Sequence, residues 1–254
     1  MASFNILILS GSLTDVSLID LVLKNNTGMS AIEVTDSTLS LKRVSITGNS
    51  AQNGGGIFNR DGTITMSLST FDGNSASAKG GGIVNIGGTI TMSLSTIKGG
   101  GIRNSEGTVT MSHCTFLQAD GGYILSGTTF VSTRFVMDNS LVENTGTTTN
   151  GPICDSGFFM EVTISLVIHL VKTLTPASSS IVNSTFAASM LMFPLVADNG
   201  GPTQTGALPA DSPAIGNADS SECPSTDQRG EGFFRCSGCD IGAVQSNANS
   251  VQRS

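Results

Sequence analysis

The sequence predicts an all-β fold, a right-handed parallel β-helix built from stacked imperfect repeats. Two observations predict it: short segments alternate between apolar and hydroxyl-bearing residues, and one motif returns three times at intervals of about one coil. The composition agrees, because Gly accounts for 31 of 254 residues while 12% of residues are charged and 5% are aromatic. Exposed helices would carry more Lys, Glu and Arg, whereas short strands need Gly and Asn turns between them.

The repeated unit joins a glycine triplet to Ile, places Asn two residues later and continues as Thr-(Ile/Val)-Thr-Met-Ser. The glycine-led copies are residues 54–57, 80–83 and 99–102. They start 26 and 19 residues apart, and the shorter interval lacks a counterpart of residues 74–79. Because the flanking strands are retained, the missing stretch is predicted to be a surface turn. Weaker copies over residues 16–23, 39–46 and 135–144 indicate five or six coils over residues 5–150.

Stacking of these copies in register predicts ladders of equivalent side chains. The inward ladders are Ile64, Ile90 and Val109; Met66, Met92 and Met111; and Phe71, Ile97 and Phe116. The turn positions that recur are Asn59, Asn85 and Asn104, followed by Gly62, Gly88 and Gly107. We expect the stacked amides to bond to each other and to the backbone, and the glycines to be needed for a positive φ.

The outward positions of the same strands carry a regular ladder of threonines. The pairs are Thr63 and Thr65, Thr89 and Thr91, and Thr108 and Thr110. Thr is a common outward strand residue, so the ladder has an ordinary structural explanation. The alternatives are that this flat face binds ice, a glycan or another protein, and the sequence does not choose among them.

Charge and hydropathy exclude some partners. The formal net charge of −7 argues against nucleic acid, because phosphate binding needs clustered Lys and Arg. No apolar run reaches 18 residues, so no transmembrane helix is expected. The start lacks the basic region of a signal peptide, and we expect either a removed signal or, as the favoured explanation, a gene fragment. We expect a monomer without a cofactor.

The repeats resemble those of polymorphic outer membrane proteins, which pair GGA(I/L/V) with F-x-x-N. Gly-Gly-Ile occurs three times, with Gly in place of Ala, and residues 71–74 form a complete F-x-x-N. Residues 46–49 are a conservative variant, and the motif decays at residues 97–100 and 116–119. The resemblance implies a β-helix of a bacterial surface protein.

Four ordered motifs near the C-terminus resemble the C-terminal region of bacterial surface β-helix proteins called choice-of-anchor Q domain proteins. They are DNGGPTQT at 198–205, SPAIG at 212–216, CPSTDQRG at 223–230 and CDIGA at 239–243. The two resemblances together cover roughly residues 30–150 and 194–244. They imply a secreted protein or one attached to the cell surface or outer membrane of a bacterium.

Three regions follow from these patterns: β-helix repeats over 1–150, a divergent connector over 151–193 and a C-terminal cap or anchor-type region over 194–254. We expect the last region to cover the open end of the solenoid, since an exposed final coil would favour edge-to-edge aggregation. Within the connector, codons compatible with residues 162–168, read one nucleotide earlier, can spell Gly-Tyr-Asn-Leu-Ile-Gly-Asp. Members of the resembled family carry that string near this point, which suggests a local frameshift; the alternative is a divergent buried strand.

Two of the five cysteines, Cys223 and Cys239, stand where the resembled family carries a pair. The resemblance therefore implies a disulfide that staples the C-terminal region. Two alternatives remain: a zinc site with Cys236 and a fourth ligand such as Cys154, and a redox C-x-x-C, whose usual βαβ context is missing.

Three further side chains have plain structural interpretations. Cys114 aligns with small residues of the other coils and is predicted to be a buried, inert thiol. Arg229 is predicted to pair with Asp227 inside the C-terminal region. His113 and His169 lack an acid or nucleophile pattern and are interpreted as incidental.

The sequence favours a non-catalytic surface or secreted protein of adhesin or passenger type, which presents a polar side to a glycan or to a host or neighbour-cell protein. The alternative is a polysaccharide lyase or hydrolase of the pectin-lyase-like fold, since that fold hosts such enzymes although a fold alone does not confer activity. Its candidate catalytic residues are Asp61, Glu106 and Arg103, near one turn. Solvated turn charges explain all three.

Overall fold

The computed structural model describes residues 7–12, 16–78, 80–118, 125–126, 133–144, 159–164, 166–170, 184–187, 196–210, 212–232 and 238–246. The strands are β1 (Leu7–Leu9), β2 (Val16–Ile19), β3 (Val22–Lys24), β4 (Thr27–Gly28), β5 (Ile32–Thr35), β6 (Thr38–Lys42), β7 (Ser45–Thr47), β8 (Ser50–Ala51), β9 (Ile57–Arg60), β10 (Thr63–Ser67), β11 (Thr70–Asp72), β12 (Ser75–Ala76), β13 (Ile83–Ile86), β14 (Thr89–Ser93), β15 (Thr96–Lys98), β16 (Ile102–Ser105), β17 (Thr108–Ser112), β18 (Thr115–Gln118), β19 (Leu125–Ser126), β20 (Arg134–Asp138), β21 (Leu141–Asn144), β22 (Phe159–Ile164), β23 (Leu166–Leu170) and β24 (Ser184–Ala187). One 3-10 turn, Ser220–Glu222, is the sole helical element of the described residues.

Equivalent strands of successive coils pair in parallel, and together they form four sheets. Sheet A has the order β1-β5-β9-β13-β16-β19, and sheet B has the order β2-β6-β10-β14-β17-β20-β22. Sheet C runs β3-β7-β11-β15-β18-β21-β23-β24, and the small sheet D runs β4-β8-β12. The prediction of a parallel β-solenoid is therefore confirmed, with about five turns.

The inward ladders lie in the predicted register. Ile64 pairs with Ile90 and Ile90 with Val109, while the Met and Phe/Ile ladders follow the same coils. Their side chains form one continuous apolar core, which Leu39 extends at one end and Phe135 at the other. Because each coil covers the apolar face of the next, the core depends on the stack and not on any single coil.

The glycines after the Asn turn correct one prediction, since Gly62, Gly88 and Gly107 do not have a positive φ. The left-handed conformation falls one residue earlier in each coil. These positions are Asp61 (φ 56°), Gly87 (φ 70°) and Glu106 (φ 59°). The prediction therefore places the conformation that the turn requires one residue too late.

Close approach, and not backbone conformation, is what requires glycine at these positions. A Cβ at Gly62 would lie 2.5 Å from the Asn59 Oδ1 and 2.9 Å from the Ser37 carbonyl oxygen. At Gly88 and Gly107 a Cβ would overlap the amide of the Asn in the preceding coil. The glycines leave room for the Asn side chains to lie between coils.

The stretch absent from the shorter repeat is only partly a turn. It contains β12, which pairs with β8 in sheet D. In the shorter coil, Gly99, Gly100 and Gly101 all have positive φ and lead directly into β16. A run of glycines thus replaces a short strand and its loop, because glycine adopts the sharp backbone path at little cost.

The predicted connector continues two sheets. Strand β22 pairs with β20 with a register shift beside Met137 and Asp138, and β23 and β24 extend sheet C. The irregular pairing falls within the segment for which the sequence suggests a frameshift. Cys154 and Cys236 lie outside the described residues.

The described part of the C-terminal region contacts the flank of the solenoid, and its role as an end cap stays a prediction. Its hydrogen bonds reach Thr70, Thr96, Thr115 and Asn139, which belong to four successive coils. Sheet C continues past these coils through β23 and β24. The region therefore lies along the flank of the solenoid, where buried polar side chains of the repeats supply its partners.

Candidate functional site

The outer side of sheet B is a regular array of hydroxyl groups, which we call the threonine face. It consists of Thr38, Thr63, Thr89 and Thr108 in one column and Ser40, Thr65, Thr91 and Thr110 in the next. The residues of the first three coils are exposed and those of the fourth are half-buried. The following coil ends both columns with Arg134 and Val136.

The geometry of the threonine face follows from its register. Neighbouring strands lie about 4.8 Å apart, and alternate residues of one strand about 6.6 Å apart. The β-branched Thr side chains have few rotamers, so ordering them against a ligand costs little entropy. The face can therefore offer repeated donors, acceptors and methyl groups at fixed positions to an extended partner.

The candidate catalytic residues lie on sheet A and at the corner where it meets sheet B. Asp61 and Glu106 are both exposed at the left-handed corner between sheets A and B, two coils apart. Arg103 is half-buried on sheet A, where it pairs in register with Val84. Within the described residues no group of three or more His, Cys, Asp or Glu side chains could hold a metal ion.

The predicted Asn positions form a buried ladder of amides. Asn59 Nδ2 donates to Asn85 Oδ1 at 2.7 Å, and Asn85 Nδ2 donates to Asn104 Oδ1 at 2.8 Å. Each amide also donates to the carbonyl of the glycine three residues later. The ladder ends at Val34, so the Asn59 Oδ1 is buried without a partner in the described part of the chain.

A second Asn ladder escaped the sequence analysis. It follows the corner after sheet C, where Asn49 Nδ2 donates to Asn74 Oδ1 at 2.9 Å and the Asn26 N donates to Asn49 Oδ1 at 2.9 Å. These residues are the Asn of the F-x-x-N motif and its variants. The sequence analysis used this motif only to recognise the family resemblance. Recurrence of its Asn at the interval of one coil was the signal that could have predicted the ladder.

A third column, which we call the hydroxyl column, lies on the outer side of sheet C and is buried. It consists of Thr70, Thr96 and Thr115, which pair in register, and Leu141 takes the next position. All four residues are at most 1% exposed, because the C-terminal region covers them. This column is the second functional feature that sequence reasoning missed.

Gln228 is the centre of the contact between the C-terminal region and the hydroxyl column. Its side chain is fully buried; Nε2 donates to Thr70 Oγ1 at 2.9 Å, and Oε1 accepts from Thr96 Oγ1 at 2.6 Å. Nε2 also lies 3.0 Å from Thr203 Oγ1, which in turn donates to the Leu68 carbonyl. One amide thus joins two coils to two parts of the C-terminal region.

The residues beside Gln228 hold it in place. Asp227 is fully buried and accepts hydrogen bonds from Arg229 Nε at 2.8 Å and Nη2 at 2.7 Å. Arg229 Nη2 also donates to the Gln245 carbonyl, and the Gln245 N donates to Asp227 Oδ2. The structure thus pairs Asp227 with Arg229, with both side chains satisfied by neighbouring segments of the same region.

The cysteines separate into one bonded pair and one thiol among the described residues. Cys223 and Cys239 form a disulfide with Cα atoms 5.7 Å apart. Cys114 is free and fully buried, and burial raises the pKa of its thiol to about 12. It takes the place of Ser69 and Ser95 in a ladder in which the side chain bonds to the backbone two residues earlier. Such a thiol is inert at neutral pH.

His113 occupies the left-handed corner between sheets B and C, with φ 49°. It is 3% exposed, its Nδ1 lies 3.0 Å from Ser112 Oγ, and burial lowers the pKa of its imidazole to about 4. Its Nε2 is buried without a partner within the described residues. Burial therefore favours the neutral form of this packed side chain.

Comparison with known proteins agrees with this repeat architecture. Residues 43–60 and 69–86 match the Chlamydia polymorphic membrane protein repeat. The matched segments are successive coils that include β7 to β9 and β11 to β13. Neither the curated proteins nor the solved structures gave a match.

Two statements follow about the class of protein. The fold is a parallel β-solenoid, and segments of its successive coils are similar to the polymorphic membrane protein repeat. That repeat family suggests a bacterial protein with an outer-membrane or surface location. Of the residues described, none forms a helix with the length and hydropathy needed to span a bilayer.

Proposed function

We propose that the chain is a non-catalytic bacterial surface or secreted protein of adhesin or passenger type, and that the threonine face contacts a glycan or a protein on another cell. The observation that carries the proposal is the unbroken register of Thr and Ser over four coils of sheet B, exposed in the first three. The C-terminal region covers the hydroxyl column on the outer side of sheet C, whereas the threonine face of sheet B is exposed in its first three coils. The C-terminal motifs resembling choice-of-anchor Q proteins support a surface location.

A flat array favours an extended partner over a small molecule. Each hydroxyl contributes a weak hydrogen bond, because it must first lose its bond to water. Repetition at a fixed spacing lets many weak contacts act together once the first is made. An oligosaccharide chain or the edge of a protein can match such a series, whereas a monosaccharide would touch one or two rungs.

The direct test is binding of the purified protein to a glycan array and to host and bacterial cells. Thr65→Lys and Thr91→Lys place bulky charges in the middle of the threonine face, and each should weaken binding by roughly tenfold or more, equivalent to about 1.4 kcal/mol. Thr35→Lys, on sheet A, is the matched control and should leave binding unchanged. Binding that survives both face variants would refute the proposal.

The enzymatic alternative needs a separate assay. Acidic polysaccharides incubated with the protein, with and without calcium, should give no unsaturated product. Product that disappears in Asp61→Asn or Arg103→Ala would establish a lyase instead. Inhibition of ice recrystallisation that Thr65→Lys abolishes would replace the cellular ligand with ice.

A further inference from the structure

The described parts of residues 196–246 form a unit that we call the lateral clamp. We infer that the clamp holds four successive coils together from the side and that reduction of the Cys223–Cys239 disulfide releases it. The inference does not depend on what the threonine face binds. Three features of the contact carry it: bridging of coils, a fixed position along the repeats, and a covalent loop around the residues that make the contact.

The clamp crosses the coils instead of following one of them. Gln228 joins Thr70 to Thr96, and the Ala243 N donates to Thr115 Oγ1 at 2.9 Å. The Asp219 N donates to Asn139 Oδ1 at 2.9 Å, one coil further along. Any slip of one of these coils against the next would break a buried hydrogen bond, which costs more than an exposed one.

The position of the clamp along the repeats is set where the repeat pattern ends. Thr70, Thr96 and Thr115 offer equivalent hydroxyls, so they alone would permit docking one coil too early or too late. Leu141 breaks the column and packs in an apolar cluster with Ala214, Ala218, Cys239 and Ile241. A clamp shifted by one coil would place this apolar cluster on a hydroxyl and leave Leu141 uncovered.

Gly242 shows how closely the two surfaces meet. Its N donates to the Asn139 carbonyl at 2.8 Å, and its φ is +109°. A Cβ there would lie 2.9 Å from Thr115 Oγ1 and 3.4 Å from Leu141 Cβ. Gly216 also has a positive φ, +69°, but no atom lies within 4 Å of the position of its Cβ. The two glycines therefore separate the effect of close approach from that of backbone strain.

The disulfide closes the loop that presents Gln228. It joins residues 16 apart in sequence, and the Asp227-Gln228-Arg229 turn lies between them. Cys239 is 1% exposed and lies in the apolar cluster, whereas Cys223 is half-buried. Opening a loop of this length raises the population of undocked conformations by roughly 100-fold, because the freed chain gains conformational entropy.

Release is an ordinary thiol–disulfide exchange with an external dithiol. A thiolate of the dithiol attacks the more accessible Cys223 Sγ, the S–S bond breaks and Cys239 leaves as a thiolate that takes up a proton. The second thiol of the reagent then attacks the mixed disulfide and frees Cys223, which is protonated in turn. Two electrons pass to the protein, and the reagent leaves as its own disulfide.

The test uses the full chain with a specific protease site inserted at residues 190–191, in a Cys154→Ser/Cys236→Ser background so that one disulfide is present. After cleavage, the oxidised fragments should elute together in size-exclusion chromatography. Dithiothreitol should separate them while the solenoid fragment keeps its β-type circular dichroism. Gly242→Ala should separate them without reduction, and Gly216→Ala should not.

Each outcome decides between the inference and its opposite. Separation of the oxidised wild-type fragments would show that the clamp does not dock. Continued co-elution after complete reduction, or loss of the β signal together with release, would show that the disulfide does not control a separable clamp. Cys223→Ser/Cys239→Ser, which should behave as the reduced protein, excludes a side effect of the reagent.

Discussion

The repeats and the lateral clamp are stabilised in different ways. In the repeats, each coil meets the next through the same few contacts, such as Ile64 on Ile90 and Asn59 on Asn85. In the clamp, no contact is repeated: Asp227, Gln228 and Cys239 each have different buried partners. A substitution in a repeat therefore leaves equivalent contacts in the neighbouring coils, whereas a substitution in the clamp removes a contact that has no equivalent.

Gln228→Glu should have the largest effect, because it breaks the clamp at its most connected side chain. The carboxylate cannot donate to Thr70 Oγ1 or Thr203 Oγ1, and although it still accepts from Thr96 Oγ1, it buries a charge without a countercharge. We expect the free energy of unfolding to fall by about 4 kcal/mol, measured by urea denaturation. Gln204→Ala is the control: its side chain is exposed and should contribute less than about 0.5 kcal/mol. Equal effects of the two variants would mean that the contact at Gln228 is not buried.

Asn85→Val tests the repeats at the middle of the Asn ladder. It removes three hydrogen bonds, whereas Asn59→Val removes two and also the unpartnered Asn59 Oδ1. At about 1 kcal/mol for each bond, we expect losses of about 3 and about 2 kcal/mol in urea denaturation. A larger loss for Asn59→Val would contradict the position of the ladder end at Val34.

Lowering the pH should reduce the free energy of unfolding through His113, which lies at the corner between sheets B and C. Its folded pKa of about 4 lies below its ordinary value of 6.5, so the unfolded chain binds the proton more readily. The stabilisation by the neutral side chain is full above about pH 6.5 and is lost as the pH falls towards 4, by roughly 2 kcal/mol. His113→Asn, which introduces the residue that Asn139 supplies at the same corner one coil later, should remove this part of the pH dependence of the melting temperature. An unchanged pH profile would show that His113 is not buried as a neutral group.

Cys114→Ser should have the smallest effect. The equivalent residues of other coils are Ser69, Ser95 and Ser140, and each donates to the backbone two residues earlier. The hydroxyl should take over this bond and change stability by less than about 0.5 kcal/mol in urea denaturation. Cys114→Ala, which leaves the Ser95 N without its partner, should cost about 1 kcal/mol. A large loss with Ser would mean that the thiol is required for packing.

The sequence allowed the repeats to be predicted nearly residue by residue. The alternation of Ile64, Met66 and their neighbours fixed the inward face, and recurrence at a coil interval fixed the register of Asn59 on Asn85. The positive φ at Asp61 was assigned one residue late, because Gly62 offered the more familiar signal. That glycine is needed for space between coils, which only the stacked structure reveals.

The clamp was predicted as a set of motifs, without its contacts to the flank of the solenoid. The Cys223–Cys239 pair and the partnership of Asp227 with Arg229 followed from the resemblance and from local spacing. Nothing in the sequence links Gln228 to Thr70, which lies 158 residues earlier. A non-repeating contact leaves no period to detect, so the sequence did not indicate the contact with the flank.

The sequence by itself determined the coil, its inward ladders and the outward threonines, because a side chain in a repeated strand meets its own equivalent one coil away. The tertiary structure alone decided which outer side is covered and which is open. Which side is covered depends on buried hydrogen bonds between segments that are far apart in sequence and unrelated to each other. These bonds form only when the folded chain brings the segments together.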